Sequence, residues 1–205
     1  MPSQSKFLVI EGCNGVGKST IEKYLMACTG ASSFHYPPEF VSFRRDVHLD
    51  ECLAPLPRLL YYLAATLHLS DLVRAQLIQN HVVCDRYLAS PLSLMIAESA
   101  IQETEALHLM EPFGSYLCIP DLTLLLTAEH AVASARINSR SLKSGTLTQV
   151  ARRMVESKEF FYERENACRR LAMRLGPVVE LDTTNLAPEE MCNSSWSLLA
   201  PELDW

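Results

Sequence analysis

The residues best suited to chemistry lie near the start of the chain. Gly12-Cys13-Asn14-Gly15-Val16-Gly17-Lys18-Ser19-Thr20 follows directly on the apolar run Phe7-Leu8-Val9-Ile10-Glu11. This is G-x-x-x-x-G-K-S after a strand, the spacing at which backbone N–H groups wrap around the phosphates of a nucleoside triphosphate. Of the seven glycines in the chain, three fall within this loop, where a side chain would close off the backbone angles needed. Lys18 brings a positive charge to the β- and γ-phosphates, and Ser19 offers a hydroxyl to Mg²⁺. The helix beginning here turns its positive end toward the anion. The pattern implies a site for ATP or GTP built from Gly12, Asn14, Gly15, Val16, Gly17, Lys18, Ser19 and Thr20. Lys18, on its loop, is expected to be exposed. Cys13 is either a small filler or an oxidisable thiol.

A second group closes another apolar run, His81-Val82-Val83-Cys84-Asp85, followed by Arg86 and Tyr87. Ligands in open α/β sheets sit beyond the carboxyl ends of the strands, so Asp85 is expected beside the phosphate loop. A carboxylate there holds Mg²⁺, often through water, or makes an ordinary strand-end ion pair; Arg86 can clamp a phosphate. Arg136 and Arg140 stand four apart on a helical pattern and share one face, just before a Ser/Gly/Thr stretch at 141–148. Two readings are open: lid arginines that close over transferring phosphates, or a solvated basic helix end. Glu39 could be a general base for a hydroxyl or a structural carboxylate, and Arg44 or Arg45 could hold an acceptor phosphate. Asp182-Thr183-Thr184-Asn185 could cover an adenine with backbone groups or form a polar turn.

Positioning these residues requires strands that alternate with helices, the pattern of a parallel sheet covered on both faces. Strands are expected at Lys6–Glu11, Ser33–Tyr36, His81–Asp85, Leu122–Thr127 and Val178–Leu181. Helices are expected at Lys18–Thr29, from Pro57 to about Gln79, over Leu88–Ala100 and Glu103–Met110, at Glu129–Arg140, in one long piece from Leu147 to Leu175, and after Pro188. No repeat, low-complexity segment or linker divides the 205 residues, so one α/β domain is expected, with a mobile lid at about 136–148.

A net charge of −6 argues against a surface that grips polymeric nucleic acid. Seven dispersed cysteines, with no C-x-x-C pair, read as reduced thiols of an intracellular protein. No apolar run approaches a membrane span, and five residues before the first strand leave no room for a targeting signal, so a cytoplasmic protein is expected.

Together these residues resemble the thymidylate kinase family of P-loop nucleoside and nucleotide kinases, and the resemblance covers most of the chain. It is carried by Phe7-Leu-Val-Ile-Glu-Gly12, by Asp85-Arg86-Tyr87 with Ser90 three beyond, and by Pro120-Asp121-Leu-Thr-Leu-Leu-Leu126. Arg136-Ile-Asn-Ser-Arg140, Phe160-Phe161-Tyr-Glu-Arg164, and Val179-Glu-Leu-Asp182 with Pro188-Glu-Glu190 complete it. The resemblance implies a five-stranded parallel sheet, ATP as donor, Mg²⁺ as cofactor, often a homodimer, and phosphoryl transfer to a nucleoside monophosphate. Lys18, Arg86 and the lid arginines would then neutralise charge, Ser19 with Asp85 would place the metal, and Thr183 would lie at the donor base. Ser90 and Arg86 would face the acceptor.

Departures cluster on the acceptor side. Asn14 stands where the family carries an acid, Thr66-Leu67 where it carries Asp-Arg, and Ser93-Leu94 where it carries Ala-Tyr. The arginine expected after strand two is not plain in Tyr36-Pro-Pro-Glu-Phe40. A deoxynucleoside kinase using Glu39 as base, and a nucleotide-binding regulator without catalysis, are the competing readings.

Overall fold

The computed structural model describes residues 5–38 and 54–203. Glu39, Arg44 and Arg45 lie outside the described residues. Five strands form one sheet: β1 (Phe7–Glu11), β2 (Ser32–His35), β3 (Val82–Asp85), β4 (Leu122–Thr127) and β5 (Val178–Asp182). Their order is β2-β3-β1-β4-β5, and every neighbouring pair is parallel. The five-stranded parallel α/β sheet expected from the sequence is therefore present.

β1 is the central strand, paired with β3 through Ile10↔Asp85 and with β4 through Glu11↔Leu125. All five of its residues are buried, which requires helices on both faces and explains why the run is nearly continuously apolar. Because the chain passes to one side of β1 and then to the other, a crevice opens at the carboxyl ends of the strands around it. The phosphate loop leaves β1 at that point.

Helix α1 (Lys18–Thr29) starts from Gly17 and stops at Gly30, whose φ of 67° suits glycine and whose N–H reaches the Met26 carbonyl at 2.9 Å. Helix α2 (Pro55–Leu77) begins with prolines in its first turn, where a missing N–H costs nothing. Helices α3 (Ala89–Ala97) and α4 (Glu103–Met110) follow β3. The side chains of Gln102 and Glu105 form a reciprocal capping box at the start of α4.

After β4 the helical pattern departs from expectation twice. Helix α5 runs from His130 to Ser144, four residues past Arg140, until Gly145 at φ 70° ends it. The eight-residue loop therefore shortens to 145–148, because Ser-Leu-Lys-Ser extends a helix readily and only the glycine stops it. The single long helix is two, α6 (Gln149–Glu156) and α7 (Lys158–Leu175). Ser157 is extended, at φ −126° and ψ 111°, and its hydroxyl accepts from the Phe160 N–H at 3.1 Å. Apolar periodicity runs through the junction and cannot register a cap. Helix α8 (Pro188–Leu203) closes the described chain.

Ser157→Ala removes that cap. We expect a loss of about 1 kcal/mol in urea unfolding and a melting temperature lower by about 2–4 °C, with the sheet's circular dichroism unchanged.

Candidate active site

The carboxyl end of β1 carries two devices. The first is the phosphate loop itself, which crosses tightly packed backbone. A Cβ on Gly12, at φ 136°, would collide with the Leu126 carbonyl, and one on Gly15, at φ 84°, with the Ala133 carbonyl. The loop can lie this close to β4 and α5 only without side chains at both positions. The second is Glu11, the last residue of β1, 1% exposed. Its carboxylate accepts from the Tyr87 N–H at 2.9 Å, the Ser90 N–H at 3.2 Å and the Ser90 hydroxyl at 2.6 Å. An acid at the start of α3 suits the helix dipole and ties the turn after β3 to the loop after β1.

That turn holds Arg86, a non-glycine residue at φ 78°. Its guanidinium reaches the Gly12 carbonyl and the Ser90 hydroxyl, each at 3.0 Å, and the Asn14 side-chain oxygen at 2.6 Å. A positive φ at arginine carries strain, and these partners hold it in place. Asn14 is thus a neutral acceptor for Arg86 where an acid would have formed an ion pair.

Lys18 is not exposed. Its ammonium folds back onto the Gly12 carbonyl at 3.0 Å and the Cys13 carbonyl at 2.7 Å, and 6% of the residue is accessible. Burial, followed by the like charge of Arg86, pushes its pKa down to about 7. A polyphosphate arriving beside it would favour the charged form. Cys13 is buried beneath the loop, its thiol pushed up in pKa by burial, which favours the filler reading.

The Ser19 hydroxyl donates to Asp85 at 3.1 Å. Asp85 is 1% exposed, and its other carboxylate oxygen is buried without a partner among the described residues. An orphaned buried carboxylate oxygen beside a serine hydroxyl and a phosphate loop fits a divalent cation. Glu22 and His35, which sequence reasoning missed, stand beside it. Ligand atoms of Glu22, His35 and Asp85 lie within 4.8 Å of one another.

On the opposite edge Arg136 is already engaged. It donates to the Thr183 hydroxyl at 3.1 Å and the Thr183 carbonyl at 2.8 Å, and reaches the Gly15 carbonyl at 3.4 Å. Thr183 is fully buried, its hydroxyl also 2.9 Å from the Val16 carbonyl. The Asp182 carboxylate accepts from the Thr184 N–H and hydroxyl, closing a polar turn. Arg136 therefore braces this turn against the phosphate loop, whereas Arg140 is exposed at the cleft rim.

These elements enclose a cleft of about 770 Å³. Asn14, Gly15, Gly17, Lys18, Ser19 and Thr20 line it, with Asp85, Arg86, Ser90, Arg136 and Arg140. Gly12, Val16 and Thr183 stand behind the lining and act through backbone or buried contacts. The far end is walled by Tyr36, Pro37, Tyr62, Pro91 and Leu94, with Tyr36 and Tyr62 ring centroids 6.1 Å apart. Thr66, at the position where the family carries an Asp, is buried and bonded to its own helix at the Tyr62 carbonyl. Ser93 is likewise buried, bonded to the Ser90 carbonyl. Arg164, on α7, is buried in the cleft wall. The available signal was its position in Phe161, Arg164, Cys168, Leu171, where a charge interrupts an apolar helical stripe.

A parallel sheet with a Lys-Ser phosphate loop on its central strand, and an Asp-Arg pair on the adjacent one, defines a P-loop kinase of small phosphorylated molecules. Comparison with known proteins narrows the class. The thymidylate kinase family model matches residues 10–190. A thymidylate kinase of Cereibacter sphaeroides is 32% identical over 220 aligned positions, covering 99% of this chain and 98% of its own. A probable thymidylate kinase of Methanocaldococcus jannaschii is 25% identical, covering 91% and 92%. In fold, the thymidylate kinase of Candida albicans superposes with a TM-score of 0.69 at 16% identity, covering 98% and 93%. The chain belongs to the thymidylate kinase family, and is a phosphotransferase that uses ATP to phosphorylate a nucleoside monophosphate.

Recharging of Lys18 is measurable. At about pH 8 the free protein holds Lys18 largely neutral, so binding of Mg·ATP should take up close to one proton; at about pH 6 uptake should vanish. Calorimetry in buffers of different ionisation enthalpy reads this directly. Lys18→Met should abolish the difference between the two pH values.

Proposed function

We propose that the protein transfers the γ-phosphoryl group of Mg·ATP to dTMP, giving ADP and dTDP. What carries the reading is the convergence of Lys18, Arg86 and the Ser19–Asp85 pair in one cleft with an aromatic wall at its far end. The relatives' shared naming as thymidylate kinases points to the thymine base. An oxygen of the acceptor phosphate attacks the γ-phosphorus as the bond to the β–γ bridging oxygen breaks. No covalent enzyme intermediate is needed, so positioning and charge neutralisation do the work.

Lys18 neutralises the donor phosphates from inside the loop. Arg86, held by Gly12, Asn14 and Ser90, reaches from the acceptor side toward the oxygen being transferred to. Ser19 and Asp85 would hold a Mg²⁺, which would supply positive charge to the donor phosphates. Tyr36 and Tyr62 would form an aromatic wall beside a base, in place of the charged pair the family places on the middle helix. Arg140 is the arginine free to follow a closing segment around Gly145, because Arg136 is bound to the donor-side turn. The six described cysteines are free, which suits a reducing cytosol.

An ADP-release assay over a panel of nucleoside monophosphates and free nucleosides tests the reading. Turnover is expected with dTMP and absent for thymidine, and Lys18→Ala should lower it at least about a thousandfold. Turnover confined to a nucleoside would defeat the proposal. For Arg86→Ala we expect kcat to fall by about a hundredfold with the ATP KM changed less than about threefold. An unchanged kcat would leave Arg86 a structural support of the loop.

A further inference from the structure

Arg164 is 6% exposed and lines the cleft from α7. Its guanidinium makes one contact that resembles a hydrogen bond, to the Met154 sulfur at 3.6 Å. Among the described residues no carboxylate lies within ion-pair distance of it. A thioether is a weak acceptor, and a buried guanidinium so poorly matched is costly unless an anion arrives. The nearby Glu11 carboxylate is already engaged by Tyr87 and Ser90. Burial, and then the like charge of Arg86, hold the Arg164 pKa below its usual value, so the two guanidinium groups share one region. The fold therefore keeps two neighbouring cations in the cleft wall, with the charge of Arg164 unpaired.

The position of Arg164 says which anion it serves. Helix α7 packs along α3, whose residues Ser90, Pro91 and Leu94 line the cleft. The donor-side turn at Thr183, braced by Arg136, is built on the other edge from β5 and α5. We propose that Arg164 binds, together with Arg86, the phosphate monoester group of the acceptor. This assignment rests on the kinase reading above and deepens it. A dianion between the buried guanidinium of Arg164 and the half-buried one of Arg86 would be held far more strongly than the neutral hydroxyl of a nucleoside. The same contact would select monophosphates over nucleosides without touching the base.

Equilibrium calorimetry with dTMP and with thymidine, on the full chain without ATP, tests it. Arg164→Met keeps an apolar stem beside Met154 and removes the charge. It should weaken dTMP binding by about tenfold to a hundredfold and change thymidine binding by less than about twofold, and in a separate turnover assay it should shift the ATP KM by less than about twofold. Arg164→Lys, which keeps the charge but not the guanidinium fork, should weaken dTMP binding less than Arg164→Met does. Should the methionine variant not fold, Arg164→Gln carries the same expectation. Unchanged dTMP affinity, or equal losses for dTMP and thymidine, would overturn the assignment while leaving the kinase reading intact. A wild-type chain that binds no nucleoside monophosphate would overturn both.

Discussion

One buried carboxylate holds the catalytic end of this molecule together. Glu11 ends the central strand and accepts three hydrogen bonds from the turn that follows the neighbouring strand. The sheet alone fixes where β1 and β3 stop, not how the loops beyond them meet. Through Glu11 the turn bearing Arg86 is anchored to the strand that launches the phosphate loop. Arg86 then returns the connection by donating to Gly12 and Asn14. An acid buried here without such partners would be expensive, so its presence at the end of an apolar strand is itself a sign of a network.

Around that anchor the chain accumulates charge it does not neutralise. Arg86 repels both Lys18 and Arg164, and these two are almost wholly buried. The free protein meets part of this cost by letting Lys18 approach neutrality and by lending it backbone carbonyls. It meets another part with Asp85, whose own unpaired oxygen asks for a cation. Under the proposed function, donors and acceptors would be set in advance for phosphate and metal, which would avoid reorganising them as phosphoryl transfer proceeds. The unliganded site gives up stability to gain that order.

The two ends of the cleft are built differently. The donor end is backbone and small polar groups, clamped by Arg136 onto Thr183 and Gly15. The acceptor end substitutes aromatic and aliphatic walls for the charged residues the family carries on its middle helix, and Asn14 for an acid. Thr66 and Ser93 do not face the cleft as polar readers; each is spent on a carbonyl of its own helix or turn. Under the proposed function, recognition there would rest on aromatic walls for the base and guanidinium groups for the phosphate.

Much of this was legible in the residues. The phosphate loop, the Asp85-Arg86 pair, the five strands and the helix of Lys18–Thr29 all follow from local spacing and from glycines whose angles other residues avoid. The sequence also pointed to Arg136, but its function as a brace came from the fold, because Thr183 lies 47 positions away. Glu11, Glu22, His35 and Arg164 were hidden for the same reason: each is a charged or titratable residue whose meaning depends on partners far along the chain. The break at Ser157 and the shortened 145–148 loop were missed because periodicity measures which face is apolar, not where a hydroxyl caps an amide. Local chemistry determined the loop and the strands; only the folded chain, by bringing distant groups within a few ångströms, decided which cations are braced and which stand in the cleft wall without an acidic partner among the described residues.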